Sequence, residues 1–138
     1  MARRPGGRGT CNRVGMTYAR QALGLEGETR ACQALEARGY RILQRRYRTR
    51  FGELDIVARH DQTVVFVEVK TRRGRSFGDP AASVTTEKQR RLVAMATDYL
   101  ARHGLTRTAA RFDVVAVTMR PGEAPAVVVY PNAFRPGW

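Results

Sequence analysis

Two carboxylates and an ammonium lie within the stretch Phe51 to Lys70, FGELDIVARHDQTVVFVEVK. Its β-branched content predicts a hairpin with arms Glu53–Ala58 and Val64–Lys70, turning at His60-Asp61-Gln62. Side chains alternate along a strand, so Val65, Val67 and Val69 share one face, and Val64, Phe66, Glu68 and Lys70 share the other. Residues two apart stand about 6.6 Å apart along the strand, which sets Glu68 beside Lys70. Neighbouring strands lie about 4.8 Å apart, so a suitable register brings Asp55 to Glu68. Two carboxylates at close range resist ionising together unless a cation separates them. Mg²⁺ suits that role. It takes oxygen ligands at about 2.1 Å, commonly one or two carboxylates completed by water and phosphate oxygens. Alone, Glu68-x-Lys70 reads more readily as a surface ion pair on an edge strand, and the hairpin acid Asp55 argues against that.

The elements that must hold these groups follow from periodicity. A helix is predicted from Thr17 to about Arg38, weakened at Gly24 and Gly27 and stopped by Gly39. Glu28 shares its inward stripe with Ala31, Cys32 and Leu35, so it needs a partner: an arginine, a lysine or a metal. Tyr40 to Tyr47 reads as the first strand. Arg41, Arg45, Arg46, Arg48 and Arg50 crowd it, with Tyr47 and Phe51 interleaved. That mixture fits a nucleic-acid surface and equally a charged edge strand. Residues 71–84 read as a loop carrying Arg72, Arg73 and Arg75. Thr85 or Thr86 caps a second helix that runs to His103 and stops at Gly104, with Leu92, Ala96, Tyr99 and Leu100 as its core stripe. Lys88 lies at the inward edge of its first turn, where its long stem reaches toward the hairpin, and Gln89 is adjacent. Arg111 to Met119 reads as a buried fourth strand whose Asp113 pairs with an arginine such as Arg111. Val127 to Tyr130 is a short fifth. This order predicts an α/β fold, a central mixed sheet of about five strands flanked by α-helices. A crossover through the second helix joins the third and fourth strands if these are parallel.

The chain has 138 residues, enough for one domain with a real core. Residues 1–16 read as a disordered basic arm and residues 17–138 as the single domain. Lysine and arginine number 25 against 12 acids, a net charge of +13, which favours polyanions, nucleic acid above all. No apolar run is long enough for a membrane helix, and the basic start lacks a signal peptide's apolar core. A cytoplasmic protein is expected. Cys11 and Cys32 are too few for a structural zinc site, and no phosphate-loop glycine pattern follows a strand.

The helical acid, Asp55 and the E-x-K motif at Glu68-x-Lys70 together resemble the PD-(D/E)xK nuclease superfamily. Within it, the chain is similar to the YraN-like family of predicted endonucleases. The resemblance rests on Gly27-Glu28, Gly39 to Leu43, Gly52 to Val57, Phe66 to Lys70, Phe77 to Pro80, Lys88, Arg111 to Val115 and Asn132 to Phe134. It spans about residues 24–134, and archaeal Holliday-junction resolvases look like more distant relatives. Leu54 stands where the superfamily name has proline. The resemblance implies a restriction-endonuclease-like core. It makes Asp55 and Glu68 metal ligands, Lys70 the catalytic lysine, and Glu28 an additional metal-binding and catalytic acid. Glu53, Lys88 and Gln89 would support them. Arg45, Arg46, Arg48, Arg50, Arg72, Arg73 and Arg75 would hold the nucleic acid.

The implied activity is Mg²⁺- or Mn²⁺-dependent hydrolysis of phosphodiester bonds in DNA, with branched or damaged DNA as a substrate class and a homodimer as an arrangement left open. Two other classes stand beside it. One is a nucleic-acid-binding module that keeps the nuclease fold but cleaves poorly or only with a partner. The other is an assembly factor whose basic surface meets protein acids or lipid. Salt-sensitive binding to nucleic acid separates the first two from the third.

Overall fold

Strands with apolar residues on both faces need a cover on each side, and here one helix supplies each cover. The computed structural model describes residues 8–74 and 84–137. Its elements are α1 (Arg8–Ala37), β1 (Arg41–Thr49), β2 (Gly52–His60), β3 (Thr63–Arg73), α2 (Thr86–Arg102), β4 (Ala110–Met119) and β5 (Ala126–Phe134). They form one five-stranded sheet in the order β1-β2-β3-β4-β5. Only the β3–β4 pair is parallel, so the sheet is mixed and α2 lies in the crossover between them. This is the expected α/β architecture.

The alternation expected in β3 sorts its residues between two cores. Val64 and Phe66 join Leu54, Leu92, Met95, Ala96, Tyr99, Phe112 and Val114 under α2. Val65 and Val67 join Ala31, Cys32, Leu35, Ile56, Val115 and Val117 under α1. The Thr85 hydroxyl accepts the Lys88 backbone N–H and caps α2, and Gly104 beyond its end has φ 66°.

Besides β3, which continues to Arg73 into the segment read as a loop because its pairing with β4 persists to Arg73–Met119, three boundaries differ clearly from the sequence reading. α1 begins at Arg8 rather than Thr17, so it enters the segment expected to be a disordered basic arm, of which residues 1–7 lie outside the described residues. Extending a formed helix is far easier than nucleating one, so glycines in its first turns do not stop it. β1 runs to Thr49 because its pairing with β2 persists to the Thr49–Gly52 pair. β5 runs to Phe134 through Pro131, which an edge strand tolerates.

Asp113 is buried, and Arg111 is its partner as expected, at 3.0 Å from Oδ1. The carboxylate also accepts the Tyr40 hydroxyl at 2.7 Å and the Asn132 backbone N–H at 2.9 Å. His60 stacks on Tyr40 at 4.2 Å and meets Arg111 at 3.2 Å through Nδ1. This satisfied network joins β2, β4, β5 and the entry to β1, and its role is structural.

Gly27 sets the approach of α1 to the sheet. A Cβ there would overlap the Thr71 side chain of β3, with Cγ2 only 2.7 Å away, whereas a Cβ at Gly24 meets nothing. The two helical glycines therefore separate by substitution. Gly27→Ala is expected to destabilise by about 1–3 kcal/mol through overpacking. Gly24→Ala is expected to stabilise by up to about 1 kcal/mol through helix propensity. Urea denaturation of both variants checks the pair.

Candidate functional site

β2 and β3 pair regularly from His60–Thr63 to Ile56–Val67, and there the ladder ends. One step further, Asp55 would face Glu68. Instead Asp55 Oδ2 accepts the Val69 backbone N–H at 2.8 Å, in place of a strand carbonyl. Alternation also fails here. Leu54 packs under α2 and Ile56 under α1, although they are two residues apart. Across the β1–β2 pair from this break stands Arg46, with the left-handed φ of 55°. For an arginine that conformation is uncommon, and it marks local strain.

The break opens the sheet to both sides at Asp55. Under α1, a cavity of about 520 Å³ is lined by Glu28, Arg46, Arg48, Glu53, Asp55 and Thr71, among others. Under α2, a cavity of about 190 Å³ is lined by Gly52, Glu53, Asp55, Glu68, Lys88, Arg91, Leu92 and Met95. Asp55 and Glu53 line both. The expected convergence of Asp55 with Glu68 is thus present in the smaller cavity.

Each acid is neutralised differently. Glu68 is buried, and its Oε2 pairs with Lys88 and, at 3.4 Å, with Lys70. Glu28 is buried too. Its Oε1 receives the Arg45 guanidinium at 2.9 Å and Arg46 Nε at 3.2 Å. Asp55 has the Val69 N–H alone as a hydrogen-bond donor among the described residues. Burial first, then the nearby Glu68 charge, push its carboxyl from the usual 3.8 up to about 7. The lysines diverge. Burial, then the neighbouring Lys88, push the Lys70 ammonium below its ordinary value. Burial is the largest single influence at Lys88 and works in the same direction, but the bonds to Glu68 and Lys70 and the nearby Glu68 and Asp55 charges together outweigh it and hold Lys88 above its ordinary value.

The remaining residues singled out from the sequence fall as follows. Glu53 pairs with the highly exposed Arg48 at 3.3 Å. Gln89 donates to the Val84 carbonyl at 3.0 Å, bracing the start of α2, and does not line the carboxylate cavity. Arg45 and Arg46 are occupied by Glu28, and Arg50 lies over the Phe51 ring at 4.8 Å. Arg73 lines a separate groove with Arg30 and Arg120. Arg72 continues β3. Arg75 and the Phe77–Pro80 motif lie outside the described residues. Tyr47, expected on the nucleic-acid surface, is buried, with its hydroxyl on Asp98 at 3.0 Å. Sequence reasoning missed Arg91, which lines the cavity one helical step from Lys88, at a spacing that the α2 periodicity carries.

The donor set suits a hard cation: the carboxylates of Glu53, Asp55 and Glu68 line one cavity, with no thiolate or imidazole among its lining residues. Among the described residues, no group of three or more His, Cys, Asp or Glu comes close enough to hold a metal unaided. Water and phosphate oxygens would have to complete an octahedron, as they commonly do for Mg²⁺.

The fold is a mixed α/β sheet between two helices, consistent with a restriction-endonuclease-like core, and the site is a carboxylate pair, Glu68 buried and Asp55 half-buried, with two lysines. The family described as Uncharacterised protein family UPF0102 matches residues 27–117, and the chain belongs to it. A UPF0102 protein of Anaeromyxobacter dehalogenans is 51% identical over 122 residues, covering 86% of this chain and 90% of that protein. One from Syntrophotalea carbinolica is 50% identical over 124 residues, covering 89% and 100%. Another, from Acidothermus cellulolyticus, is 46% identical over 131 residues, covering 88% and 99%. No helix among the described residues is long and apolar enough to cross a membrane.

The raised Asp55 value gives a signed pH effect. The folded protein holds this proton more tightly than the unfolded chain. Its contribution to stability is therefore full below the unfolded value of 3.8, lost as pH rises through about 7, and flat above. Asp55→Asn keeps an acceptor for the Val69 N–H and removes the titration. In metal-free thermal melts, the melting temperature of the variant relative to wild type is expected to rise between about pH 5 and about pH 8. A constant difference across that range would show that Asp55 titrates normally.

Proposed function

We propose that this protein is a metal-dependent endonuclease that hydrolyses phosphodiester bonds in DNA. The observation that carries the reading is the Asp55–Glu68 pair in one cavity, where burial and mutual repulsion favour a proton on Asp55. A divalent cation in place of that proton relieves the same repulsion. The net charge of +13 and the resemblance of the Asp55, Glu68 and Lys70 pattern to PD-(D/E)xK nucleases support a polyanionic substrate.

In this reading Asp55 and Glu68 hold Mg²⁺ or Mn²⁺. The ion supplies positive charge at the phosphate and makes water nucleophilic at neutral pH. Lys70, with its lowered proton affinity, lies beside Glu68 to orient that water or offset charge developing on the phosphate. Lys88, from α2, shares the same Glu68 oxygen and offers a second ammonium to the phosphate. Glu28 acts through Arg45 and Arg46, holding both guanidinium groups, of which Arg46 lines the larger cavity. Glu53 steadies Arg48 in the same way. Contacts from these arginines to the backbone are sequence-independent and weaken as salt rises.

A second reading, nucleic-acid binding without cleavage, draws on the pairing already in place: Lys70 and Lys88 on Glu68, Arg45 and Arg46 on Glu28. Carboxylates neutralised by side chains have less need of a metal. Calorimetric titration of Mg²⁺ and Mn²⁺ into wild type and Asp55→Ala, with cleavage assays on linear, flapped and branched DNA, separates the two. The expected result is metal binding and cleavage in wild type. Asp55→Ala is expected to lose metal binding and to cut cleavage about a hundredfold or more. Salt-sensitive DNA binding without metal uptake or cleavage would establish the second reading. Absence of both metal and DNA binding would overturn each.

A further inference from the structure

We infer that Phe51 and Arg50 form a stacking platform for an unpaired base at the rim of the carboxylate cavity, so that the site takes nucleic acid with a single-stranded segment there. This rests on the nucleic-acid reading above and adds the form of the substrate.

Arg50 and Phe51 are the two residues of the β1–β2 turn, closed by the Thr49–Gly52 pair. The Thr49 hydroxyl accepts the Phe51 N–H at 3.0 Å and donates to the Gly52 carbonyl at 3.0 Å, so the tip is rigidly built. Gly52 has φ 136°, and a Cβ there would stand 3.4 Å from Met95 Sδ and 3.7 Å from Arg91 Cδ. The tip is therefore seated directly on α2, at residues that line the smaller cavity. Gly52 itself lines that cavity with Asp55, Glu68 and Lys88. Phe51 immediately precedes Gly52 in the chain, so its Cα lies about 3.8 Å from that of a cavity-lining residue.

Of the three large exposed hydrophobic residues among those described, Leu25, Phe51 and Val128, only Phe51 is aromatic. It remains 39% exposed with the Arg50 guanidinium over its ring at 4.8 Å. Folding gains little from such a residue, since it joins neither core. An aromatic ring with a stacked guanidinium offers two flat surfaces of the kind on which bases stack, whatever their sequence. Tyr47 is the contrasting case. It is buried and bonded to Asp98, so it has no surface to offer. A base within a duplex has both faces covered by its neighbours, so only an unpaired base meets the platform face-on.

The test uses the full chain in metal-free buffer at low salt, which keeps oligonucleotides intact. Anisotropy reports binding to single-stranded and duplex DNA. 2-Aminopurine, placed at successive positions of the single strand, reports stacking by its fluorescence. Wild type is expected to bind the single strand with a change in 2-aminopurine emission at a restricted set of positions. Phe51→Ala is expected to lose that signal and bind the single strand about tenfold more weakly, with duplex affinity almost unchanged. Phe51→Tyr is expected to restore both. An emission change that survives Phe51→Ala overturns the inference, as does an equal loss on single strand and duplex, while the nucleic-acid reading stands. Wild type that binds neither DNA overturns that reading and this inference with it.

Discussion

Four carboxylates, Glu28, Asp55, Glu68 and Asp113, sit against this sheet where water reaches them poorly, and each must be neutralised by something else. Asp113 has a guanidinium, a phenol and a backbone N–H. Glu28 has two arginines and Glu68 two lysines. Asp55 has one backbone N–H, and its charge opposes that of Glu68. The other three acids are settled by the protein's own donors, whereas Asp55 calls for a proton or an external cation. That asymmetry sets Asp55 apart from the three acids held in ion pairs.

The break in the sheet and the charge imbalance share one cause. Continuing the β2–β3 ladder past Ile56–Val67 would set Asp55 directly against Glu68. The strands part instead, the Asp55 carboxylate takes the Val69 N–H, and Arg46 adopts a left-handed backbone across the neighbouring pair. Cavities then open on both faces, and charged side chains make up about half of the lining of each. The β2–β3 pairing is lost at the point where the acids accumulate, and the apolar cores on the two faces of the sheet hold that point in place.

The hairpin was legible in the sequence because strand alternation is a local property. Val65 and Val67 take one face, Val64 and Phe66 the other, as their spacing dictates. The helix cap at Thr85 and the stop at Gly104 were legible for the same reason. Relations between distant segments were not. The Tyr40–Asp113 bond spans 73 residues, and no periodicity announces it. Nor does sequence reveal which face of β1 is covered by α2, so Tyr47 and Phe51 looked alike although one is buried and the other exposed. Glu28 was legible as an acid needing a partner, but the choice of two arginines depends on how α1 crosses β1.

The spatial order of the strands repeats their order in the chain. Neighbours in the sheet are therefore neighbours in sequence, and every antiparallel pairing closes a short loop. Only β3 with β4 must wait for the excursion through α2. Loop-closure entropy favours the short closures during folding. The two acids belong to a hairpin joined by a two-residue turn between His60 and Thr63. Lys88 comes from α2 and the arginines around Glu28 meet it only when α1 docks. The carboxylate pair, with Lys70 and the Val69 N–H, is thus assembled by local folding, while Lys88 joins it only in the finished tertiary structure.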